Sequence, residues 1–243
     1  MKQLFIADLH LSPEHPRLTR GFLALLAHYQ QRIDQLYILG DWFEAWLGDD
    51  DDSAWLDEIV QALNQFSSHG AQVFFMVGNR DFALGQRFMQ RFGGTLIRTD
   101  RSSIENQGLR VVIEHGDALC TDDVAYQKFK KIIRNPFILK PLLSLPLSFR
   151  RKVAQTARQK SRASHHYKSS AIMDVNEQAV ADVLSKHDIL LHGHTHRPAV
   201  HEYANHKKRI VLGDWREDNH TNSGEAMIAL LDENGLNLLK WQF

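Results

Sequence analysis

Cysteine is nearly absent: Cys120 is the only one in 243 residues, so no disulfide can form within the chain. A lone thiol suits a reducing compartment. No apolar run approaches the roughly 20 residues that a bilayer-crossing helix needs. The opening residues, Met1 to Asp8, lack the apolar core expected of a signal peptide. Net charge is also missing, because 29 Lys/Arg balance 29 Asp/Glu. That balance conceals two unequal parts. Residues 121–170 hold twelve Lys/Arg but only two acids, Asp122 and Asp123, which gives +10 there and −10 elsewhere. A stretch so short of acid suits an anionic partner, although a solvated helical face is the plainer alternative.

A hydrophobic share of 43% and a charged share of 24% are those of an ordinary globular protein, long enough for one α/β domain with an insertion. Strands are expected at Gln3–Ala7, Gln35–Leu39 and Gln72–Val77, with helices at Arg17–Gln31 and Ser53–Ser68. This alternation predicts a largely parallel core. Further strands are expected at Arg98–Glu105, Leu109–Glu114, Ile189–Leu191, Ala199–Tyr203 and Arg209–Leu212, and a hairpin at Ala226–Leu231 and Leu236–Trp241. Between them the basic stretch reads as helices, the first capped by Asp122 or Asp123, with three prolines at Pro136, Pro141 and Pro146. The strand pattern resumes afterwards, so one domain spanning 1–243 is expected, with a helical cap inserted at about 121–170. No internal repeat or low-complexity linker is evident. The acidic run Asp49–Asp52 reads as a solvated cap of the following helix.

Metal-ligating residue types recur where the strands end. Asp8-Leu9-His10 follows the first strand, Gly40-Asp41 the second and Gly78-Asn79 the third. Alone, each reads equally well as a turn. His115-Gly116-Asp117 and His194-Thr195-His196 follow later strands, and a His-x-His at a strand end can turn two imidazoles the same way. Turns would not need a carboxylate, amide or imidazole each time, and in open α/β sheets this end of the strands is where ligands bind. Mixed imidazole and carboxylate donors suit a divalent transition metal better than calcium or magnesium. Cys120 reads as a small buried residue. His192 reads as structural or supporting, and His15, His28, His69, His187, His206 and His220 as surface or structural.

Asp8-x-His10, Gly40-Asp41-x-x-Glu44, Gly78-Asn79-x-Asp81, His115-Gly116-Asp117 and Gly193-His194-Thr195-His196 resemble, in order, the five blocks of the calcineurin-like metallophosphoesterases. The resemblance implies a four-layer α/β/β/α sandwich and two metal ions. By position, Asp8, His10 and His196 would hold one ion, Asn79, His115 and His194 the other, and Asp41 would bridge them. Glu44 and Asp81 would orient the ligands. Many members have histidine where this chain has Arg80. Arginine neutralises phosphate charge but cannot usefully give up a proton, so a phosphate leaving group is favoured over an alkoxide.

The stretches Leu36–Asp41, Gly78–Phe82, His115–Asp123, Ala171–Asn176 and His192–His201 resemble more closely the UDP-2,3-diacylglucosamine hydrolase family of lipid A biosynthesis. This likeness implies cleavage of a pyrophosphate bond by a metal-activated hydroxide at the α-phosphorus, with two Mn²⁺ or other divalent transition metals. Asp41 and Arg80 would then be catalytic. Asn79, Arg80, Asp123, Tyr126, Arg158, Ser161, Lys168 and His194 would contact the substrate. His165 stands where that family has asparagine, and can still donate a hydrogen bond. The insertion would be a lid over the acyl chains, and the chain would sit peripherally on the cytoplasmic face of the bacterial inner membrane. Basic side chains beside Phe137-Ile138-Leu139 and Leu142-Leu143 suit a lipid-linked nucleotide sugar and an anionic membrane surface. Aromatics there are too scattered for base stacking, so no nucleic-acid partner is expected. A nucleotide or dinucleoside polyphosphate hydrolase is the alternative, and it would need no acyl pocket.

Overall fold

The computed structural model describes residues 1–106, 108–165, 174–218 and 220–243, with side chains described outside 158–165. The first half runs β1 (Gln3–Ile6), α1 (Pro16–Tyr29), β2 (Gln35–Leu39), α2 (Trp55–Ser68), β3 (Gln72–Met76), α3 (Gln86–Gln90), β4 (Thr95–Ile97), β5 (Arg101–Asn106) and β6 (Leu109–Glu114). Then follow α4 (Val124–Ile133), α5 (Pro136–Leu143), α6 (Leu147–His165) and α7 (Glu177–Leu184). The chain closes with β7 (Ile189–His192), β8 (Ala199–Glu202), β9 (Lys208–Val211), β10 (Arg216–Asp218), β11 (Ser223–Asp232) and β12 (Gly235–Gln242).

Side chains that alternate along the strands separate into different cores, and this sets the layers. Leu4, Ile6, Leu36, Ile38, Val73 and Phe75 face α1 and α2, packing with Phe22, Leu25, Ile59 and Leu63. Their neighbours Phe5, Ala7, Tyr37, Leu39 and Met76 face the other way, onto Val111, Ile113, Ile189 and Leu191 of a second sheet. On the far side of that sheet, Val112 and Leu190 pack with Val180, Val183 and Leu184 of α7. The result is helix, sheet, sheet, helix, as the resemblance implied.

The first sheet has the order β10-β11-β1-β2-β3-β4, with β12 also paired to β11, and the second has β5-β6-β7-β9-β8. Parallel pairing is confined to β1–β4 and to β6, β7 and β9. The strands β1–β4 that alternate with helices pair parallel as expected, and the strands outside these two sets join antiparallel, the hairpin β11–β12 among them, so both sheets are mixed. Burial on both faces gives β1, β2 and β6 nearly continuous apolar runs, and their C-terminal ends open on the same region.

The three helices α4–α6 lie in the chain between β6 and α7. Asp123 caps α4 by accepting from the Tyr126 amide at 3.1 Å, which settles the choice between the two acids. Asn135 caps α5, and Pro136 takes its first turn, where a missing N–H costs nothing. The acidic run departs from the expected solvated cap. Asp49 accepts from the amides of Gly85 and Phe88, at 2.8 and 2.9 Å, at the start of α3. Asp50 pairs with Arg150 and Asp51 with Arg151, so the run ties the insertion to the core. No described helix is long and apolar enough to cross a membrane.

Candidate metal centre

Five of the seven expected ligands have left-handed backbone: Asp8, His10, Asp41, His194 and His196, at φ of 50 to 69°. Residues with side chains rarely hold that conformation unless the surroundings enforce it, and such strain gathers at functional sites. Close packing enforces it here. Gly40 has φ of 86°, and a Cβ there would lie 2.6 Å from His115 Nδ1 and 2.7 Å from the Gly78 Cα. Only glycine lets the β2 and β3 exits touch and still leaves room for His115.

Asp81, fully buried, binds those exits together. Its carboxylate accepts from the amides of Gly78 at 2.7 Å, Trp42 at 2.7 Å and Asp41 at 3.3 Å. The Arg80 amide in turn donates to Asp41 Oδ1 at 2.8 Å.

Three of the four imidazoles have a group behind Nδ1. His10 Nδ1 lies 3.4 Å from Glu44, His196 Nδ1 3.4 Å from Asp214, and His115 Nδ1 2.9 Å from the Leu39 carbonyl. The Nε2 atoms therefore point inward. Those of His10 and His196 are 3.4 Å apart, and His196 Nε2 is 3.4 Å from Asp8 Oδ1. His115 Nε2 lies 2.9 Å from Asn79 Oδ1 and 3.7 Å from Asp41 Oδ1. The His194 ring stands edge-on to His115, with centroids 4.9 Å apart, while its amide donates to Asp8 Oδ2 at 2.8 Å. All seven residues thus meet in one place. Asp8, His10 and His196 form one group whose ligand atoms lie within 4.8 Å of one another, and Asp8, Asp41 and His115 form a second.

The electrostatics call for cations. Asp8, Asp41 and Asp81 are at most 2% exposed. Burial, with the neighbouring Asp81 and Asp8 carboxylates, pushes Asp41 up to about 7 in spite of His115. Burial works against ionised Asp8 as well, but the surrounding imidazoles, His196 foremost, hold it well below the usual range. Burial pushes His10 and His194 down to about 3, leaving both neutral as metal ligation requires. Asp8 Oδ1 is buried with no hydrogen bond, only the His196 ring at 3.4 Å, a lack that a cation would fill. The donor set fits divalent metals.

A family model described as calcineurin-like phosphoesterase matches residues 1–198. The chain belongs to that family. Among its relatives, the UDP-2,3-diacylglucosamine hydrolase of Serratia proteamaculans (strain 568) is 48% identical over 220 residues, covering 88% of this chain and 91% of the relative. The protein of the same name from Escherichia coli O7:K1 is 46% identical over 223 residues, covering 90% and 92%. A solved archaeal phosphodiesterase aligns over 99% of both chains at 16% identity, with a TM-score of 0.49.

Other expected residues of this phosphoesterase fall into three groups. Arg80 reaches Glu44 at 3.0 Å and Asp41 at 3.9 Å, beside the centre. Tyr126 stacks its ring against His194, with centroids 6.4 Å apart, and Asp123 lies at the start of the same helix. The side chains of Arg158, Ser161 and His165, and all of Lys168, lie outside the described residues. His192 is buried behind the ligands, with Nδ1 2.8 Å from the Gly193 carbonyl. Asp214, Lys130 and Arg134 were not foreseen at this site. Asp214 did leave a signal: Leu212-Gly213-Asp214-Trp215 echoes Leu39-Gly40-Asp41-Trp42 at another strand exit.

Proposed function

We propose that the chain hydrolyses the pyrophosphate bond of UDP-2,3-diacylglucosamine, giving UMP and 2,3-diacylglucosamine 1-phosphate. What carries this reading is the 46–48% identity, over nearly the whole of each chain, to relatives that bear this enzyme's name. The convergent carboxylates and imidazoles supply chemistry to match. Two divalent cations, Mn²⁺ by resemblance, would supply Lewis acidity and a nucleophile drawn from water. Asp8, His10 and His196 would hold one and Asn79, His115 and His194 the other, with Asp41 between them. Arg80 would neutralise charge on the diphosphate as the bond to the α-phosphorus breaks. The departing group is a sugar phosphate, which needs little protonation, so an arginine suffices there.

The surface of the insertion suits a lipid substrate and an anionic membrane, and we infer a peripheral place on the cytoplasmic face of the inner membrane. Among the described residues, eight of the ten exposed large apolar side chains lie between Val124 and Val153, including Phe137 at 88% exposure. They sit among exposed lysines and arginines, a combination that suits acyl chains with anionic head groups.

The test is UMP release from UDP-2,3-diacylglucosamine in the presence of Mn²⁺, compared with UDP-glucosamine lacking acyl chains. The acylated substrate should turn over and the deacylated one far more slowly. Equal rates would instead assign the chain to the nucleotide polyphosphate hydrolases.

A further inference from the structure

Helix α4 places Tyr126, Lys130 and Arg134 four residues apart, on one face. All three donate to one carboxylate. The Tyr126 hydroxyl reaches Asp117 Oδ2 at 2.5 Å, Lys130 Nζ reaches Oδ1 at 3.1 Å, and the Arg134 guanidinium reaches Oδ2 at 3.3 Å. Gln127 adds a bond to the Asp117 carbonyl at 2.8 Å. Asp117 is 2% exposed and Lys130 7%, so this is a buried network and not a surface ion pair.

Lys130 and Arg134 also pair with Asp100, at 3.1 and 2.8 Å, but the contacts that reach the ligands fall beside those assigned to the same ion. Asp117 is two residues beyond His115. Arg134 also donates to the Gly78 carbonyl at 2.9 Å, directly before Asn79. Tyr126 lies along the His194 ring. Among the described residues, α4 makes no hydrogen bond, ion pair or ring contact with Asp8, His10 or His196.

We propose that α4 is a positioning element for one ion only: through Asp117, Arg134 and Tyr126 it sets Asn79, His115 and His194, so seating of the basic insertion and affinity for that ion are coupled. The coupling is reciprocal, because whatever tightens one must tighten the other by the same factor. This rests on the two-ion reading above. A network that merely fastened the insertion would lower stability and leave both ions alike.

Calorimetric titration of Mn²⁺ into the chelator-treated full chain separates these cases. Two equivalents bound by the wild type are required first; fewer would end the two-ion reading itself, whatever the variants do. Given two, Arg134→Met should weaken one equivalent by about 10–100-fold, the range for groups that support metal ligands, and leave the other unchanged. Arg134→Lys should recover part of the loss. Two unchanged affinities, or two that fall together, would overturn the proposal. Circular dichroism and the melting temperature report folding. If Arg134→Met does not fold, Tyr126→Phe removes one bond to Asp117, keeps the ring, and is read by the same criteria.

Discussion

His10 and His196 present Nε2 to the centre because Glu44 and Asp214 stand behind Nδ1. Replacing Asp214 by asparagine removes the charge and keeps the shape. The expected outcome is about a 10–100-fold loss of Mn²⁺ affinity, read from the metal dependence of UMP release. A variant with unaltered metal dependence would show that Asp214 does not orient His196. Cys120 lies near the same loops but is no nucleophile. Burial, with Asp117, Asp174 and other acids around it, pushes its thiol up to about 12. At pH 8 the thiolate is then about one part in ten thousand, so iodoacetamide should label Cys120 only after denaturation. Rapid labelling of the native chain would contradict this. The seven residues that meet at the strand ends were legible because their chemical types recur there in a fixed order. Asp214 follows the same Gly-Asp pattern as Asp41 yet stands behind a ligand, and one pattern does not say which side of an imidazole a carboxylate will take.

Elements long enough to show a period were readable, and α1, α2, β2 and β6 fall within about two residues of expectation, a common margin at element ends. The three-residue strands β4 and β10 and the five-residue α3 were not foreseen, being too short for any period. The β11–β12 hairpin was readable from its turn at Asp232–Gly235, but the antiparallel return of β11 beside β1 was not, because two-sided burial looks alike in either direction. The acidic run was misread because its partners, Arg150 and Arg151, are a hundred residues away. Arg150 is 3% exposed and donates to the carbonyls of Leu47 and Leu145 as well as to Asp50. Arg150→Met should leave those carbonyls without a donor and cost about 1–3 kcal/mol in urea unfolding. No change in the unfolding midpoint would mean that α6 is held by other contacts.

Across the molecule, charge and apolar exposure are segregated: a metal-ligating sandwich of net negative sequence carries a basic insertion with exposed aromatics. Co-sedimentation with vesicles should therefore require anionic lipid, weaken as salt is raised, and fall further in Phe137→Ser and Phe149→Ser. Binding that ignored both lipid charge and these aromatics would show that the insertion does not dock on an anionic membrane. The proposed function rests on metal-dependent attack at the α-phosphorus of UDP-2,3-diacylglucosamine. Its most direct test is hydrolysis in ¹⁸O-water by chelator-treated protein, before and after Mn²⁺ is restored. No turnover is expected without metal and, with it, label in UMP. Full turnover by the metal-free chain, or label in the lipid phosphate, would contradict it.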